Sequence, residues 1–401
     1  MKIGMILDHE FPVDERVEKE ALTLIEAGHK VHLLCFTFGR LTSNEKYKGI
    51  NIHRVYLSKS IAKKISALIL TIPLYKWFWK KHIQKFLLRE KIDVLHIHDL
   101  PLCGIGLDMK FTYKIPIIAD MHENYPDLML ESKHTNTILG KLLINKNKWF
   151  EKEREWLSKV DNIIVVAEEM KKRLQNILLL PKSYTIIPNT ISIEDYLKNQ
   201  VPNLEIIQKY KNKFVILYFG GINQIRGIDT LINAGKIIQN YINELKIVIV
   251  GRGSSMNELM MLTSRLGLEK IIDFVGWQDP NFLNAYMANT QICVIPHIKS
   301  PQTDNSSPNK LFIYMLYKKP IITSNCNSIQ KIVEKENCGL IFKSKDSNDL
   351  AYKILKLAKN RRFRSELAQN GYNAVRKVYN WKSTSAPLVE LYKGISLKKS
   401  I

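Results

Sequence analysis

The chain is sparing with cysteine and has no long apolar run. Its five cysteines, Cys35, Cys103, Cys293, Cys326 and Cys338, include no C-x-x-C pair. An odd, scattered set argues against a disulfide framework or a zinc site and fits a reducing compartment. The opening segment, Met1 to Asp8, ends too soon for the apolar region of a signal peptide and reads as a strand. The longest suspicious stretch, Ile65 to Tyr75, spans eleven residues, whereas a membrane-spanning helix needs about 20 apolar ones. The expected location is therefore cytoplasmic. Acidic residues are scarce too: 38 Asp+Glu stand against 60 Lys+Arg, a net charge of +22. That excess favours partners carrying negative charge, such as phosphates, anionic lipid or nucleic acid, although a compositional bias toward Lys, Ile and Asn accounts for it equally well. Short-period repeats and low-complexity tracts are absent.

What is present is ordinary globular composition, 45% apolar and 24% charged over 401 residues. It excludes disordered, collagen-like and disulfide-scaffold classes and suits two domains. β-branched runs alternate with helical segments along the chain. The strands expected in the first half are 2–8, 30–36, 51–57, 93–99, 116–120 and 162–167; in the second, 214–220, 245–250, 271–275, 292–296, 320–324 and 339–342. Runs such as Ile247-Val248-Ile249-Val250 are apolar throughout, as in parallel strands covered by helices on both faces. The expected fold is α/β, with two doubly wound, Rossmann-like parallel-sheet domains facing a central cleft. The expected boundaries are an N-terminal domain at 1–190, a second at 205–370, and helices at 371–401 returning toward the first.

Open parallel sheets bind ligands beyond the carboxyl ends of their strands. In the first half those loops carry Asp8-His9-Glu10-Phe11-Pro12-Val13-Asp14-Glu15-Arg16, His96-Ile97-His98-Asp99 and Asp120-Met121-His122-Glu123. His–acid pairs on several rim loops point to a site there, although a lone rim histidine is more often a capping or solvated residue. His-x-His with Asp also resembles a metal set, but no third-ligand pattern accompanies it and no metal is expected.

In the second half, Gly220-Gly221 with Arg226 follows the first strand, a turn whose backbone N–H groups can approach an anion that an arginine then grips. Gly251-x-Gly253 lacks the third glycine of a dinucleotide fingerprint. Ser306-Ser307-Pro308-Asn309-Lys310-Leu311 reads as a helix start with a hydroxyl cap from Ser306 or Ser307 and Lys310 in the first turn. A cation there is locally unfavourable, and a bound anion relieves it. The alternatives are an ordinary strand–helix turn and a solvated lysine.

Taken together these pieces resemble the family-4 retaining glycosyltransferases of GT-B architecture. The resemblance runs through Phe11 to Val17, Val94 to Asp99, His122 to Pro126, Ile187-Pro188-Asn189, Gly220 to Gly227, Gly251-x-Gly253, and Ser307 to Phe312 with Tyr314-Met315. It implies transfer of a sugar from a nucleotide-diphosphate sugar, UDP-linked by preference, to a lipid-linked or cell-envelope glycan acceptor, as in polysaccharide, lipopolysaccharide or capsule biosynthesis. The implied catalytic residues are His122, facing the donor sugar, and Arg226 and Lys310, which steady the departing diphosphate without a metal or other cofactor. Gly220, Gly221, Gly251, Gly253, Asn305, Ser307, Pro308, Asn309 and Leu311 join them at the donor. Asp14, Arg16, His98, Asp99 and Glu123 lie on the acceptor side. Three positions depart from the family pattern: Asn305 and Ile313 stand where a pair of glutamates is common, the second of which holds the donor ribose, and Gly221 stands where the Gly-rich turn commonly has its first arginine. That leaves open a donor-binding homologue of low activity.

One further stretch stands out. From Lys46 to Arg89 there are eleven basic residues and no acid, with Trp77-Phe78-Trp79 and several leucines and isoleucines among them. Such a mixture on a helix suits an anionic membrane surface, giving a peripheral location on the inner face. A helix packed on the sheet with solvated lysines is the plainer alternative, and a non-catalytic membrane- or nucleic-acid-binding protein is the alternative of a different class. No specific nucleic-acid partner is expected.

Overall fold

The computed structural model describes residues 1–58, 70, 73–131, 146–178, 181–198 and 200–399. The chain forms two compact units, Met1–Pro188 with Ser385–Ile401, and Asn189–Thr384. Against the expected boundaries, residues 190–204 and 371–384 both belong to the second unit. Hydrogen bonding explains this: Trp381 N donates to the Ile191 carbonyl at 2.8 Å, and the Thr190 and Thr384 hydroxyls lie 2.6 Å apart. Only the last helix, Ala386–Lys399, joins the first unit, where Tyr392 is buried.

The first unit is built on an eight-stranded sheet of β1 (Lys2–Ile6), β2 (Lys30–Thr37), β3 (Asn44–Tyr47), β4 (Ile50–Tyr56), β5 (Val94–His98), β6 (Ile117–Met121), β7 (Asn162–Val165) and β8 (Tyr184–Ile186). Their order is β3-β4-β2-β1-β5-β6-β7-β8. Every pairing is parallel except the β3–β4 hairpin at one edge. The order reverses at β1, so the crevice beyond β1 and β5 is the natural ligand position of this sheet.

The second sheet is wholly parallel: β9 (Phe214–Phe219), β10 (Leu245–Val250), β11 (Ile272–Gly276), β12 (Thr290–Ile295), β13 (Ile321–Ser324) and β14 (Gly339–Phe342), ordered β11-β10-β9-β12-β13-β14. Its reversal lies at β9 and β12. Strand side chains alternate faces, so each apolar run feeds two cores. Leu217, Val248, Val250 and Cys293 enter one; Ile216, Tyr218, Ile247 and Ile249 enter the other. All twelve expected strands form. The two unforeseen ones, β3 and β8, are the polar Asn-Glu-Lys-Tyr segment and a strand of three residues, and neither carries a periodic apolar signal. All five cysteines are buried and free.

The helix Pro73–Glu90 separates its aromatics by face. Tyr75, Trp79, Ile83 and Phe86 are buried in the first unit's core, Phe78 packs partly against it, and Leu74, Trp77 and Leu88 are exposed. Trp79 is therefore a core residue and not part of an exposed aromatic cluster. Residues 59–69 and 71–72 of the basic stretch, with Ile65, Leu68, Ile69 and Ile72, lie outside the described residues.

This division gives unequal outcomes for neighbouring tryptophans. Trp79→Ala is expected to cost about 3–5 kcal/mol through the cavity it leaves, and Trp77→Ala within about 0.5 kcal/mol. Urea denaturation followed by far-ultraviolet circular dichroism measures both.

Candidate active site

In the second unit, the loop after β9 passes Gly220 and an exposed Gly221, turns through a 3₁₀ segment Gln224–Arg226, and enters the helix Ile228–Ile238. Gly227 has φ of +62°, and a Cβ there would lie 2.0 Å from the Pro296 carbonyl oxygen. Only glycine allows this approach, which brings Arg226 beside the loop that follows β12. There Arg226 Nη1 is 3.2 Å from His297 Nε2. Arginine only donates, so Nε2 accepts and His297 is the neutral tautomer protonated on Nδ1. Burial, then Arg226 and Lys310, hold its pKa well below the usual histidine range.

Lys310 occupies the first turn of the helix Asn309–Leu316 and is 9% exposed. Its Nζ lies 3.1 Å from the Tyr218 hydroxyl and 4.2 Å from the centroid of that ring. The Tyr314 hydroxyl accepts from Phe219 N at 2.9 Å and fixes this helix against β9. Burial, with Arg226 nearby, depresses the Lys310 pKa well below that of a free lysine. Among the described residues neither Arg226 nor Lys310 is paired with an acid, and Arg226 Nε is buried without a hydrogen-bond partner. Two cations beside a helix N-terminus with no side-chain cap are an arrangement that can accept an anion.

The expected hydroxyl cap is absent. Pro308 occupies the N-cap position and no side chain caps the helix. Ser307 Oγ instead accepts from Asn189 N at 3.2 Å, which ties the Ile187-Pro188-Asn189 motif to this loop. Asn309 opens the helix and is half-buried. Asn305 is buried with its amide directed to the Pro301 carbonyl, and Leu311 and Ile313 lie in the core. Gly251 and Gly253 pack against the β9 loop: a Cβ at either would stand 1.9 Å from the carbonyl oxygen of Gly220 or Ile222 respectively. Beyond β10 and β11, the Arg252 guanidinium sits 5.8 Å from the centroid of Trp277, which is 58% exposed. The sequence reading missed His297 and Trp277; their positions directly after strands β12 and β11 were the available signal.

In the first unit, Asp120 is fully buried at the end of β6 and gathers the other groups. Arg16 contacts it side-on, Nη2 to Oδ1 at 2.9 Å and Nε to Oδ2 at 3.3 Å. The same guanidinium reaches Glu20 at 2.9 Å and the Ile187 carbonyl at 2.9 Å. His122 Nε2 lies 2.8 Å and His98 Nδ1 3.2 Å from Asp120 Oδ2. His96, also buried, meets the Tyr392 hydroxyl at 2.9 Å. Glu20, His96, His98 and Asp120 bring donor atoms within 4.8 Å of one another, with Arg16 seated on both carboxylates. Burial raises the Asp120 pKa, but Arg16 and His122 outweigh it and hold the group well below the usual carboxylate range. Burial, with the neighbouring Asp120 carboxylate, outweighs Arg16 and His122 at Glu20 and raises its pKa to about 8.

Arg16 and His98, expected on the acceptor side, are 4% and 1% exposed; what they touch is this network. Asp14 is the N-cap of the helix Glu15–Glu26, accepting from Arg16 N and Val17 N, and it also contacts His9. Asp99 takes φ of +63°, and its carboxylate accepts from His122 N at 3.2 Å. Glu123 is a half-buried rim residue. Asp120 was read only as a rim-loop acid, because nothing in the sequence joins Arg16 to a partner 104 positions away; Glu20, four positions from Arg16 on the same helix, was not singled out.

Both units thus carry charged and histidine side chains beyond the carboxyl ends of doubly wound parallel sheets, an arrangement shared with sugar-transferring enzymes. Residues 15–195 match the family model described as Glycosyltransferase Family 4, and residues 213–360 match that described as Glycosyl transferases group 1. The phosphatidyl-myo-inositol mannosyltransferase of Mycobacterium leprae is 21% identical, covering 100% of this chain and 98% of its own. Sucrose-phosphate synthase from Thermosynechococcus elongatus superposes with a TM-score of 0.81 at 17% identity over 99% of this chain and 100% of its own. Anabaena HepE in complex with UDP-glucose gives 0.70 at 14% over 98% and 100%. The chain belongs to the family-4, group 1 glycosyltransferases and has their GT-B fold; it is a glycosyltransferase.

The buried Lys310 makes a stability prediction. Its pKa is lower in the folded than in the unfolded protein, so its ammonium opposes folding below the folded value. That penalty fades as pH rises from the depressed value toward 10.5. Lys310→Met is expected to raise the thermal unfolding midpoint of the ligand-free protein at pH 7, with the gain shrinking at higher pH. A lower midpoint at pH 7 contradicts this.

Proposed function

We propose that the protein is a retaining glycosyltransferase that takes a sugar from a nucleotide-diphosphate donor, UDP-linked by preference, and passes it to a lipid-linked or cell-envelope glycan. The observation that carries this is the pair of cations, Lys310 and Arg226, left without an acid beside an uncapped helix N-terminus at the reversal point of the second sheet. A diphosphate supplies the missing negative charge. In the reaction, the bond from the sugar's anomeric carbon to the distal phosphate oxygen breaks and its electron pair leaves with the diphosphate. Lys310, Arg226 and the helix N–H groups stabilise that charge where it develops. The acceptor oxygen bonds to the anomeric carbon on the face just vacated, and its proton passes to the departing phosphate oxygen. The fixed cations do the work a metal would do elsewhere, so the scheme requires none. Trp277, with Arg252 against it, offers a stacking surface for the nucleobase. The first unit, which carries His122, is assigned the acceptor side.

The Anabaena protein's complex with UDP-glucose supports the donor class, and the Mycobacterium leprae mannosyltransferase, by its name, supports a lipid-linked acceptor. Ile313, 7% exposed in the core, cannot bind ribose hydroxyls, which favours a weak nucleotide grip that relies on the diphosphate. Arg226→Ala is expected to weaken UDP-glucose binding roughly ten- to hundredfold, the loss of one charged hydrogen-bond partner at about 1.5–3 kcal/mol. Isothermal titration checks this, and unchanged affinity in a folded variant moves the phosphate site elsewhere. If UDP-, GDP- and ADP-sugars at millimolar concentration all leave the wild-type melting point unmoved, the enzyme reading loses its donor.

We further propose peripheral attachment to an anionic membrane through the outer face of the helix Pro73–Glu90. No helix among the described residues is long and apolar enough to cross a membrane. Leu74, Trp77 and Leu88 are 69%, 63% and 59% exposed, and Lys81 lies over the Trp77 ring. Lys76 and Lys80 are partly neutralised by Asp108, which leaves Lys81 and Lys85 as the charges to test. Anionic vesicles should sediment the protein and lose it as salt rises. Replacing Lys81 and Lys85 with Gln should remove the salt-sensitive part, and replacing Leu74 and Trp77 with Ser the rest. Equal absence of binding to anionic and neutral vesicles returns this face to plain solvent.

A further inference from the structure

The first unit holds a histidine whose two ring nitrogens both face carboxylates. His122 Nε2 lies within hydrogen-bond distance of Asp120 Oδ2 at 2.8 Å, with His98 Nδ1 also 3.1 Å from it, and Nδ1 faces Asp99 Oδ2 at the ion-pair distance of 3.7 Å. An ionised carboxylate can only accept, so each nitrogen is best served by a hydrogen, and a ring with two is an imidazolium. We propose that Asp120, anchored by Arg16, is a positioning residue that fixes the His122 ring in one orientation as a doubly protonated cation. The inference rests on the reading above only for its relevance to sugar transfer; the geometry stands within the first unit alone.

Asp120 suits this part because it cannot turn. Both its oxygens are held by Arg16, and Arg16 is itself held by Glu20 and the Ile187 carbonyl. Asp120 and His122 are two residues apart, so their side chains leave the end of the strand on one side. Asp99 completes the setting from the end of β5, binding the backbone N–H of His122 as well as facing its ring.

The charges facing His122 agree. Asp120 and Asp99 favour the cation, and Asp14 is near enough to feel it. Arg16 opposes it. His96 and His98, the other basic neighbours, are buried, and burial pushes both below the usual histidine range, His98 to about 3. Neutral, they add no repulsion. Glu20 beyond Arg16 is pushed the other way, toward the protonated acid. Burial of His122 itself favours the neutral ring, but the two carboxylates outweigh this and raise it to about 10.

The consequence concerns mechanism. A general base needs a ring nitrogen with a free lone pair turned to the acceptor hydroxyl. His122 has both nitrogens turned to carboxylates. It therefore acts as a fixed charge and a rigid surface, and the acceptor proton leaves by another route, consistent with its passage to the departing phosphate.

The test needs no donor or acceptor. Protein labelled with ¹⁵N-histidine is followed from pH 5 to pH 10 by long-range ¹H–¹⁵N correlation, with the His122 signals assigned by their loss in His122→Gln. Wild-type His122 is expected to show two protonated ring nitrogens to pH 8 or above. Asp120→Asn should lower its titration by about one to three units, and Asp99→Asn, at a partly exposed position, by a smaller amount. If Asp120→Asn does not fold, Arg16→Lys, which loosens the Asp120 carboxylate, takes its place and should broaden or shift the His122 ring signals while the backbone spectrum stays folded. A carboxylate serving only stability would alter the melting point without moving the ring's titration. A wild-type ring titrating near 6.5, or one unmoved by the Asp120 variant or its substitute, overturns the proposal. Failure of UDP-glucose to bind a protein whose His122 behaves as expected would instead count against the proposed function alone.

Discussion

Positive charge held without a carboxylate is the constraint on which the second unit turns. Lys310 is buried, lies against Tyr218, and has Arg226 close enough to lower its pKa further. Left alone, such an arrangement costs stability, since a desolvated ammonium beside a second cation is worse off than in water. The rest of the unit holds it in place. Tyr314 pins the helix to β9, Gly227 lets the β9 and β12 loops meet, and neutral His297 takes one Arg226 hydrogen. The helix start has no side-chain cap to compete for its N–H groups. Every one of these features makes sense if the charge is completed from outside by an anion.

The first unit solves the opposite problem. Its buried charges are internally matched: Arg16 lies on Asp120 and Glu20, and His122 lies on Asp120 and Asp99. Removing one member of such a set leaves its partners buried and unpaired, which is far more damaging than the net worth of the whole. The last helix takes part as well, because Tyr392 reaches His96 from a position 296 residues later. The C-terminal return is thus tied to the buried network that holds His122. In the first unit Arg16 and His122 have carboxylates beside them; in the second, among the described residues, Lys310 and Arg226 have none.

Much of the fold was legible because apolar runs report strands buried on both faces, and Ile247 to Val250 feeds two cores as its alternation requires. β3 was not legible because an exposed edge strand needs no apolar face. The pair of cations proposed to hold the donor was legible through Lys310, a cation at a helix start. The reading of Ser306 or Ser307 as the cap failed because the Ser306 hydroxyl donates to the Thr303 carbonyl and the Ser307 hydroxyl serves Asn189, the latter a contact across 118 residues that local sequence cannot show. Trp79 and Trp77 illustrate the same limit, since a Trp-Phe-Trp string does not say which ring is turned inward. The central place of Asp120, read only as a rim acid, and of Glu20 was not legible for a different reason: it comes from three-dimensional convergence on Arg16.

The account stands most directly on what the Lys310 and Arg226 pair binds. Isothermal titration with UDP and with uridine at two salt concentrations addresses it. If the cations hold the diphosphate, UDP binds, uridine shows no measurable heat, and UDP affinity falls as salt rises. Uridine binding as tightly as UDP, or UDP binding unaffected by Lys310→Met, would show that the two cations are not the donor's anchor.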